Sequence, residues 1–247
     1  MMRIFFIIFL VFTSNQVIDD LFQKSNDYYT NGDYQNAVNG YLDVLDSGFE
    51  SAELYFNLGN SFYKLNNIPD SNFYYEKAKS ISPNDDDILT NLIFAKNLRI
   101  DKIEVLPITQ MQNFKLSILN LFSEKGWSIS LISLIWFMSF AFIFYIISKD
   151  SKFKRLYFTI SIVLVILSSL TLFINFEKKK LDEIKYAIVY DKEIEVWSEP
   201  NNISELKFLL HEGTKVKQLD VIEDWVNIQL ENGTLGWIQS SSLRVLD

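Results

Sequence analysis

Residues 55–62 read Tyr55-Phe56-Asn57-Leu58-Gly59-Asn60-Ser61-Phe62, and 34 positions earlier the chain reads Leu21-Phe22-Gln23-Lys24-Ser25-Asn26-Asp27-Tyr28. Sliding the sequence on itself by that offset aligns Leu21 with Tyr55, Phe22 with Phe56, Asn26 with Asn60, Tyr28 with Phe62, Tyr29 with Tyr63 and Tyr41 with Tyr75. A fixed period of this length is the mark of stacked supersecondary units, each of which buries its apolar face only against a neighbour. The apolar positions recur with helical spacing, so residues 18–105 are expected to form paired helices. Gly32-Asp33 and Asn66-Asn67 supply the turns. Asp85-Asp86-Asp87 places negative charge at the start of a fifth helix, about Ile88 to Ile100, that would cap the stack. Gly59 and Ala78 let paired helices approach, while Tyr28, Phe62, Tyr41 and Tyr75 fill the space between pairs.

Outside this region the chain changes character. Residues 1–12 are a basic start, Met1-Met2-Arg3, followed by nine unbroken apolar residues, Ile4 to Phe12, which is too short to span a bilayer and fits a secretory signal over 1–16. Trp127 to Ile147 and Leu156 to Phe176 each run 21 residues without a charge. At about 1.5 Å per residue each reaches about 31 Å, the thickness of a hydrocarbon core. They are expected to be transmembrane helices, over 127–148 and 156–176. The connection 149–155 carries Lys149, Lys152, Lys154 and Arg155 against Asp150, which by the positive-inside rule is cytoplasmic. Both flanking domains are then external. Lys178, Lys179 and Lys180 oppose that assignment, and the N-terminal signal decides it, leaving the lysine run in the linker 177–185 as a headgroup anchor.

Charge follows the same division. The chain of 247 residues has a net charge of -8, made of +1 over 1–17, -8 over 18–105, +5 over 106–185 and -6 over 186–247. Two acidic soluble units flank a basic, apolar middle. An acidic chain is a poor ligand for nucleic acid, whose phosphates require clustered Lys and Arg. The absence of cysteine removes thiol nucleophiles, disulfides and Cys-zinc sites, and the single histidine, His211, has no second His or Cys with which to hold a metal. His211 is read as a turn residue. No phosphate loop, Gly-x-Ser-x-Gly elbow or His-Glu-x-x-His helix is present, so no enzymatic activity and no cofactor is expected. In 106–126, Phe114, Ile118, Leu121 and Phe122 form a helical stripe. It suits either the membrane interface or packing on the neighbouring helical domain.

From residue 186 the sequence turns to short β-branched runs, Ala187 to Tyr190, Ile194 to Trp197, Thr214 to Val221 and Trp225 to Leu230, separated by Pro200, Gly213 and Asn232-Gly233. Asn232-Gly233 reads as a hairpin turn whose two residues both take positive φ. Trp225 and Trp237 could line a ligand groove, but their strand context favours core or half-core packing.

Three resemblances follow. The copy Tyr55-Phe-Asn-Leu58-Gly59-Asn-Ser-Phe62, with Tyr75, Ala78 and Pro83, resembles the tetratricopeptide repeat. The first copy departs from it at Ser25, where glycine or alanine is usual, and at Phe49, in place of the closing proline. This resemblance implies a concave peptide groove lined by Phe22, Asn26, Tyr29, Phe56, Asn60, Tyr63 and Lys64, although Phe22 and Phe56 serve intra-stack packing as readily. The two aromatics also replace the basic residue of a carboxylate clamp. Residues 186–247, through Glu195-Val196-Trp197-Ser198-Glu199-Pro200, Asp224-Trp225-Val226 and Gly236-Trp237-Ile238, resemble the bacterial SH3-type (SH3b) barrel. That likeness implies a ligand face at Trp197, Trp225 and Trp237 and, as precedent, binding of peptidoglycan.

The order of all these parts resembles the BatE-like aerotolerance proteins of Bacteroidetes. It implies a multidomain inner-membrane scaffold with an all-α repeat domain and an all-β SH3-like barrel in the periplasm. Its implied protein partners are von Willebrand factor A-type membrane proteins and, indirectly, a MoxR-type ATPase. The alternative is a cell-envelope sensor or anchor that binds peptidoglycan through the barrel.

Overall fold

The computed structural model describes residues 2–246, with side chains from residue 16 onward. The signal expected over 1–16 lies outside the described side chains. Two compact units make up the chain. One joins residues 1–106 to 185–247, and the other is the intervening segment 107–184.

The first unit begins with five helices, α1 (Met2–Thr30), α2 (Tyr34–Asp46), α3 (Ala52–Lys64), α4 (Ile68–Ile81) and α5 (Asp86–Asn97). The 34-residue period is visible in how they start and stop. Gly32 (φ 80°) and Asn66 (φ 56°) are equivalent positions and both adopt the left-handed conformation after a helix. The next residue in each copy closes the same backbone bond, Asp33 N–H to Tyr28 O and Asn67 N–H to Phe62 O, both 2.9 Å. Asp33, Ser51, Asn67 and Asp85 then cap α2, α3, α4 and α5, each side chain accepting from a backbone N–H of the first turn. Gly59 is required because a Cβ there would lie 2.6 Å from the Tyr75 ring. In the first copy the close approach is inverted. Ser25 is tolerated because Gly40 opposite it has no side chain, and its hydroxyl is spent locally on Leu21 O at 2.8 Å.

Seven strands follow, β1 (Tyr186–Val189), β2 (Glu193–Trp197), β3 (Leu206–His211), β4 (Lys215–Ile222), β5 (Trp225–Gln229), β6 (Leu235–Gln239) and β7 (Leu243–Leu246). They pair antiparallel in the order β3-β2-β6-β5-β4-β1-β7. The ladder ends at β3 and β7, so the expected closed barrel is instead an open sheet. Its β1 and β7 end packs on α4. Ile188, Tyr190 and Leu246 join the cluster of buried helical residues rather than the sheet's own core of Ala187, Val189, Ile194, Val196, Leu210, Val216, Val226, Ile228 and Ile238. Covering a sheet edge with a helix removes the need for closure, and it gives a short helical stack the neighbour it lacks.

Two details correct the sequence reading. His211 is the last residue of β3 and not a turn residue, and β3 itself is a strand that the run Leu206-Lys-Phe-Leu-Leu-His211 conceals because it lacks alternation. The hairpin at Asn232-Gly233 is longer than two residues, and only Gly233 has positive φ, 84°. Gly233 N–H bonds Leu230 O at 2.9 Å and Asn232 Oδ1 accepts from Thr234 N–H at 3.0 Å, the pattern of a tight turn closed by a left-handed glycine.

The second unit contains α6 (Gln110–Leu119), α7 (Glu124–Ile147) and α8 (Ser151–Asp182). The last two are long and apolar enough to cross a membrane. Helix α7 starts three residues before its uncharged run and α8 extends past its own at both ends, so the expected connection 149–155 is replaced by Ser148–Asp150, with Asp150 capping α8 through Lys152 N–H at 2.7 Å. Lys178, Lys179 and Lys180 lie on α8 and not in a linker, because charges in a last helical turn favour the helix end. The two helices pack through small residues, Ala141, Ser161 and Thr171, and Asn175 Nδ2 donates to Ser128 Oγ at 3.2 Å.

Candidate partner-binding groove

A hydrogen-bond motif repeats along the helical stack with the sequence period. Tyr41 Oη donates to Asn26 Oδ1 at 2.6 Å, and Asn57 Nδ2 donates to the same oxygen at 3.3 Å. Thirty-four residues on, Tyr75 Oη donates to Asn60 Oδ1 at 2.6 Å and Asn91 Nδ2 donates to it at 2.8 Å. Each motif therefore ties the first helix of one unit to its own second helix and to the first helix of the next. Burial pushes the Tyr41 and Tyr75 phenols well above their ordinary value, with the neighbouring Tyr29 adding to it, so both remain donors. Because Asn91 continues Asn57, α5 occupies the place of a third repeat's first helix. The spacing of Asn57 and Asn91 was available in the sequence as the signal for this motif.

The motif has a chemical consequence. Each asparagine spends its carbonyl oxygen inside the stack, while Nδ2 of Asn26 and of Asn60 has no hydrogen-bond partner among the described residues. With its oxygen turned to two donors inside the stack, each amide presents its N–H₂ outward as a donor. Around Asn60, the side chains of Tyr29, Tyr63, Lys64, Tyr75, Asn91 and Phe94 line an open hollow of 180 Å³. Of the expected groove residues, Tyr29, Asn60, Tyr63 and Lys64 meet there. Phe22 and Phe56 instead lie beside Tyr41 and Tyr75, with ring centroids 5.7 and 6.0 Å apart, and pack against the core. Asn26 stands one unit away in the repeated motif. Phe94, 53% exposed, was missed because α5 was read as a cap.

The sheet carries the three expected tryptophans on one face. Trp197, Trp225 and Trp237 are each half-buried and alternate with the buried Val196, Val226 and Ile238. Trp197 is directly opposite Trp237 across the β2–β6 pair, and Trp237 is opposite Asn227, two residues from Trp225. All three therefore belong to the side away from the sheet's core.

Three polar clusters join the helices to the sheet, and sequence reading identified none of them. Glu76 on α4, buried, accepts from Lys215 of β4 at 2.7 Å and pairs with Lys96 of α5 at 3.0 Å. Burial alone would raise the Glu76 pKa, but the two ammonium groups outweigh it and hold the carboxyl down to about 2. Asp101 accepts from the His211 backbone N–H at 2.7 Å and Thr214 Oγ1 at 2.8 Å, and faces His211 Nδ1 at 2.9 Å. Arg244 of β7 places its guanidinium 3.0 Å from Asp70 and 3.9 Å above the Phe73 ring, while Tyr190 Oη donates to Asp70 Oδ1 at 2.7 Å. Among the described residues, no group of three or more His, Asp or Glu side chains converges as a metal site.

The family model for the tetratricopeptide repeat matches residues 52–85, the span of α3 and α4 with their flanking turns. No curated protein matches the chain. The chain thus carries a tetratricopeptide repeat within a helical stack, a module that in general mediates contact between proteins.

Proposed function

We propose that this protein is a non-enzymatic membrane scaffold that holds partner proteins through the groove of its helical repeats. The observation that carries the reading is the pair of oriented, unspent amide groups on Asn26 and Asn60, with tyrosine rings and Lys64 around the second. Donors presented outward suit the carbonyl oxygens of an extended peptide, and the rings suit its side chains. By the resemblance of the whole chain to BatE-like aerotolerance proteins, the partners are von Willebrand factor A-type membrane proteins and, through them, a MoxR-type ATPase in a stress-related complex. Helices α7 and α8 cross the inner membrane. In this reading the repeats and the sheet, parts of one compact unit, stand together in the periplasm, a side supported by Lys149, Lys152, Lys154 and Arg155 at the hairpin turn and by the N-terminal signal.

A second reading rests on the tryptophan face. Trp197, Trp225 and Trp237, aligned and half-exposed, form a platform that suits a sugar or wall peptide, which would make the protein a cell-envelope sensor or anchor with an SH3-like ligand face. A photoreactive residue placed in turn at Phe94 and at Trp237 in the full-length protein separates the two in living cells. Protein adducts at 94 with nothing at 237 support the scaffold. Glycan adducts at 237 with nothing at 94 support the anchor and refute the groove.

A further inference from the structure

We propose that α6 is a membrane-interface helix whose outward apolar stripe, Met111, Phe114 and Ile118 with Leu121 and Phe122 just beyond its end, is embedded at the headgroup boundary of the bilayer. The inference rests on the reading of α7 and α8 as membrane spans. Helix α6 is fixed at both ends. Thr109 and Gln112 form a reciprocal cap at its start, with Gln112 N–H to Thr109 Oγ1 at 3.2 Å and Thr109 N–H to Gln112 Oε1 at 2.9 Å. Its other end is fixed to α7, where the buried Trp127 donates Nε1–H to Leu119 O at 3.2 Å.

The contacts of α6 decide which face is left over. Lys115 reaches Glu177 of α8 at 2.6 Å, Asn120 Oδ1 accepts from Lys178 at 3.2 Å, and Leu119 is buried. That side is held against the hairpin. Met111 at 75%, Phe114 at 64%, Leu121 at 66% and Phe122 at 51% remain exposed. Exposed apolar side chains of this size in succession are unfavourable in water.

Two observations identify lipid as what covers them. The stripe lies at the end of the hairpin marked by Trp127, where the Phe122 ring meets the Trp127 ring edge-on at 5.1 Å, so it stands beside the start of the apolar span α7. This end also carries Lys115, Lys178, Lys179 and Lys180, paired with Glu177, Asp182 and Glu183 into a polar band beside Phe122 and Trp127, and lysine and aromatic side chains concentrate at the headgroup depth. An apolar helical face of this kind is buried about 5–10 Å into the headgroup and acyl boundary.

The test uses the absence of cysteine from the chain. The full-length protein, reconstituted in phosphatidylethanolamine and phosphatidylglycerol vesicles, carries one environment-sensitive fluorophore at Met111→Cys, Phe114→Cys, Asn113→Cys, Ser117→Cys or Ile166→Cys. Lipids bearing a nitroxide near the headgroup or near the chain end, and aqueous iodide, serve as quenchers. The expected result is quenching of 111 and 114 by the shallow nitroxide with loss of iodide quenching, quenching of 113 and 117 by iodide, and quenching of 166 by the deep nitroxide. Quenching of 166 as expected, with 111 and 114 open to iodide or shielded from both quenchers, overturns the interfacial helix and leaves the spans intact. Failure of 166 to respond to either lipid overturns the spans, and the interfacial helix with them.

Discussion

Lys215 Nζ stands 2.7 Å from Glu76 Oε2, a contact that ties a strand of the sheet to a repeat helix 139 residues earlier in the chain. Glu76 is 4% exposed and Lys96 approaches its other oxygen, so the carboxylate exists in the interior only because two cations accompany it. Removing its charge leaves Lys215 without a counter-ion and Lys96 with only Glu231, at 3.7 Å. Glu76→Gln is expected to destabilise the first unit by about 3 kcal/mol, as breaking a buried pair from one side does. Thermal or denaturant unfolding of the full-length protein in detergent measures it, and an unchanged midpoint refutes the role.

The same carboxylate sets an acid limb. Its pKa is lowered, so its stabilisation is complete above the unfolded value of 4.5 and is lost as pH falls through the folded value of about 2. The wild type should lose stability over that window, and Glu76→Gln should lose less of it. Parallel acid titrations of tertiary structure decide the matter.

His211 gives a separate titration. The hydrogen bond to Asp101 raises its pKa above 6.5, with Glu193 on the other side of the ring contributing. The stabilisation it provides is fully present below the unfolded value and is lost as pH rises through the folded one. As the only histidine, its ring proton resonance is unambiguous. The midpoint should lie above 6.5 and fall in Asp101→Asn, and a midpoint at or below the ordinary value contradicts the contact.

Gly213 tests how tightly the sheet meets the helices. Its φ is 79°, and a Cβ there would lie 2.6 Å from Ile68 Cγ2 on α4. Gly32 has nearly the same φ, 80°, with open space around it. Gly32→Ala should therefore cost about 1 kcal/mol for the left-handed conformation alone, and Gly213→Ala clearly more. Equal losses in unfolding experiments would show that the interface is loose at that point.

The proposed topology places the whole first unit on one side of the membrane. Ser80→Cys on α4 and Ser240→Cys after β6 should react together with a membrane-impermeant thiol reagent in spheroplasts, while Ser151→Cys at the start of α8 is shielded. Labelling of Ser80 without Ser240, or the reverse, contradicts a single body on one side.

What could be read from the sequence was local. Caps such as Asp85, the turns at Gly32 and Asn66, the 34-residue offset and the two apolar runs each declare themselves within a few residues. The strand Leu206–His211 did not, because a run of Leu, Phe and Leu has no alternation from which to tell a strand from a helix. Lys178 to Lys180 looked like a linker because charge ends an apolar run but does not end a helix. The clusters at Glu76, Asp101 and Asp70 were beyond reach, since each depends on pairs more than a hundred residues apart, and the open sheet depends on the order in which its seven strands pair. In the groove, repetition made Asn26 equivalent to Asn60 and Tyr29 to Tyr63, and the likeness to the tetratricopeptide repeat placed them in a groove. Their partners Asn57 and Asn91 carried the same spacing and were overlooked because α5 departs from the repeat elsewhere.

The central claim is that partners are held in the groove around Asn60. Crosslinked affinity capture of the full-length protein from native membranes, beside a variant carrying Lys64→Glu and Phe94→Glu, tests it directly. Both changes are at exposed positions of the hollow and spare the hydrogen bonds of Asn60. Recovery of von Willebrand factor A-type membrane proteins with the wild type and their loss with the folded variant is the predicted result. Equal recovery from both, or recovery of wall fragments alone, would contradict it.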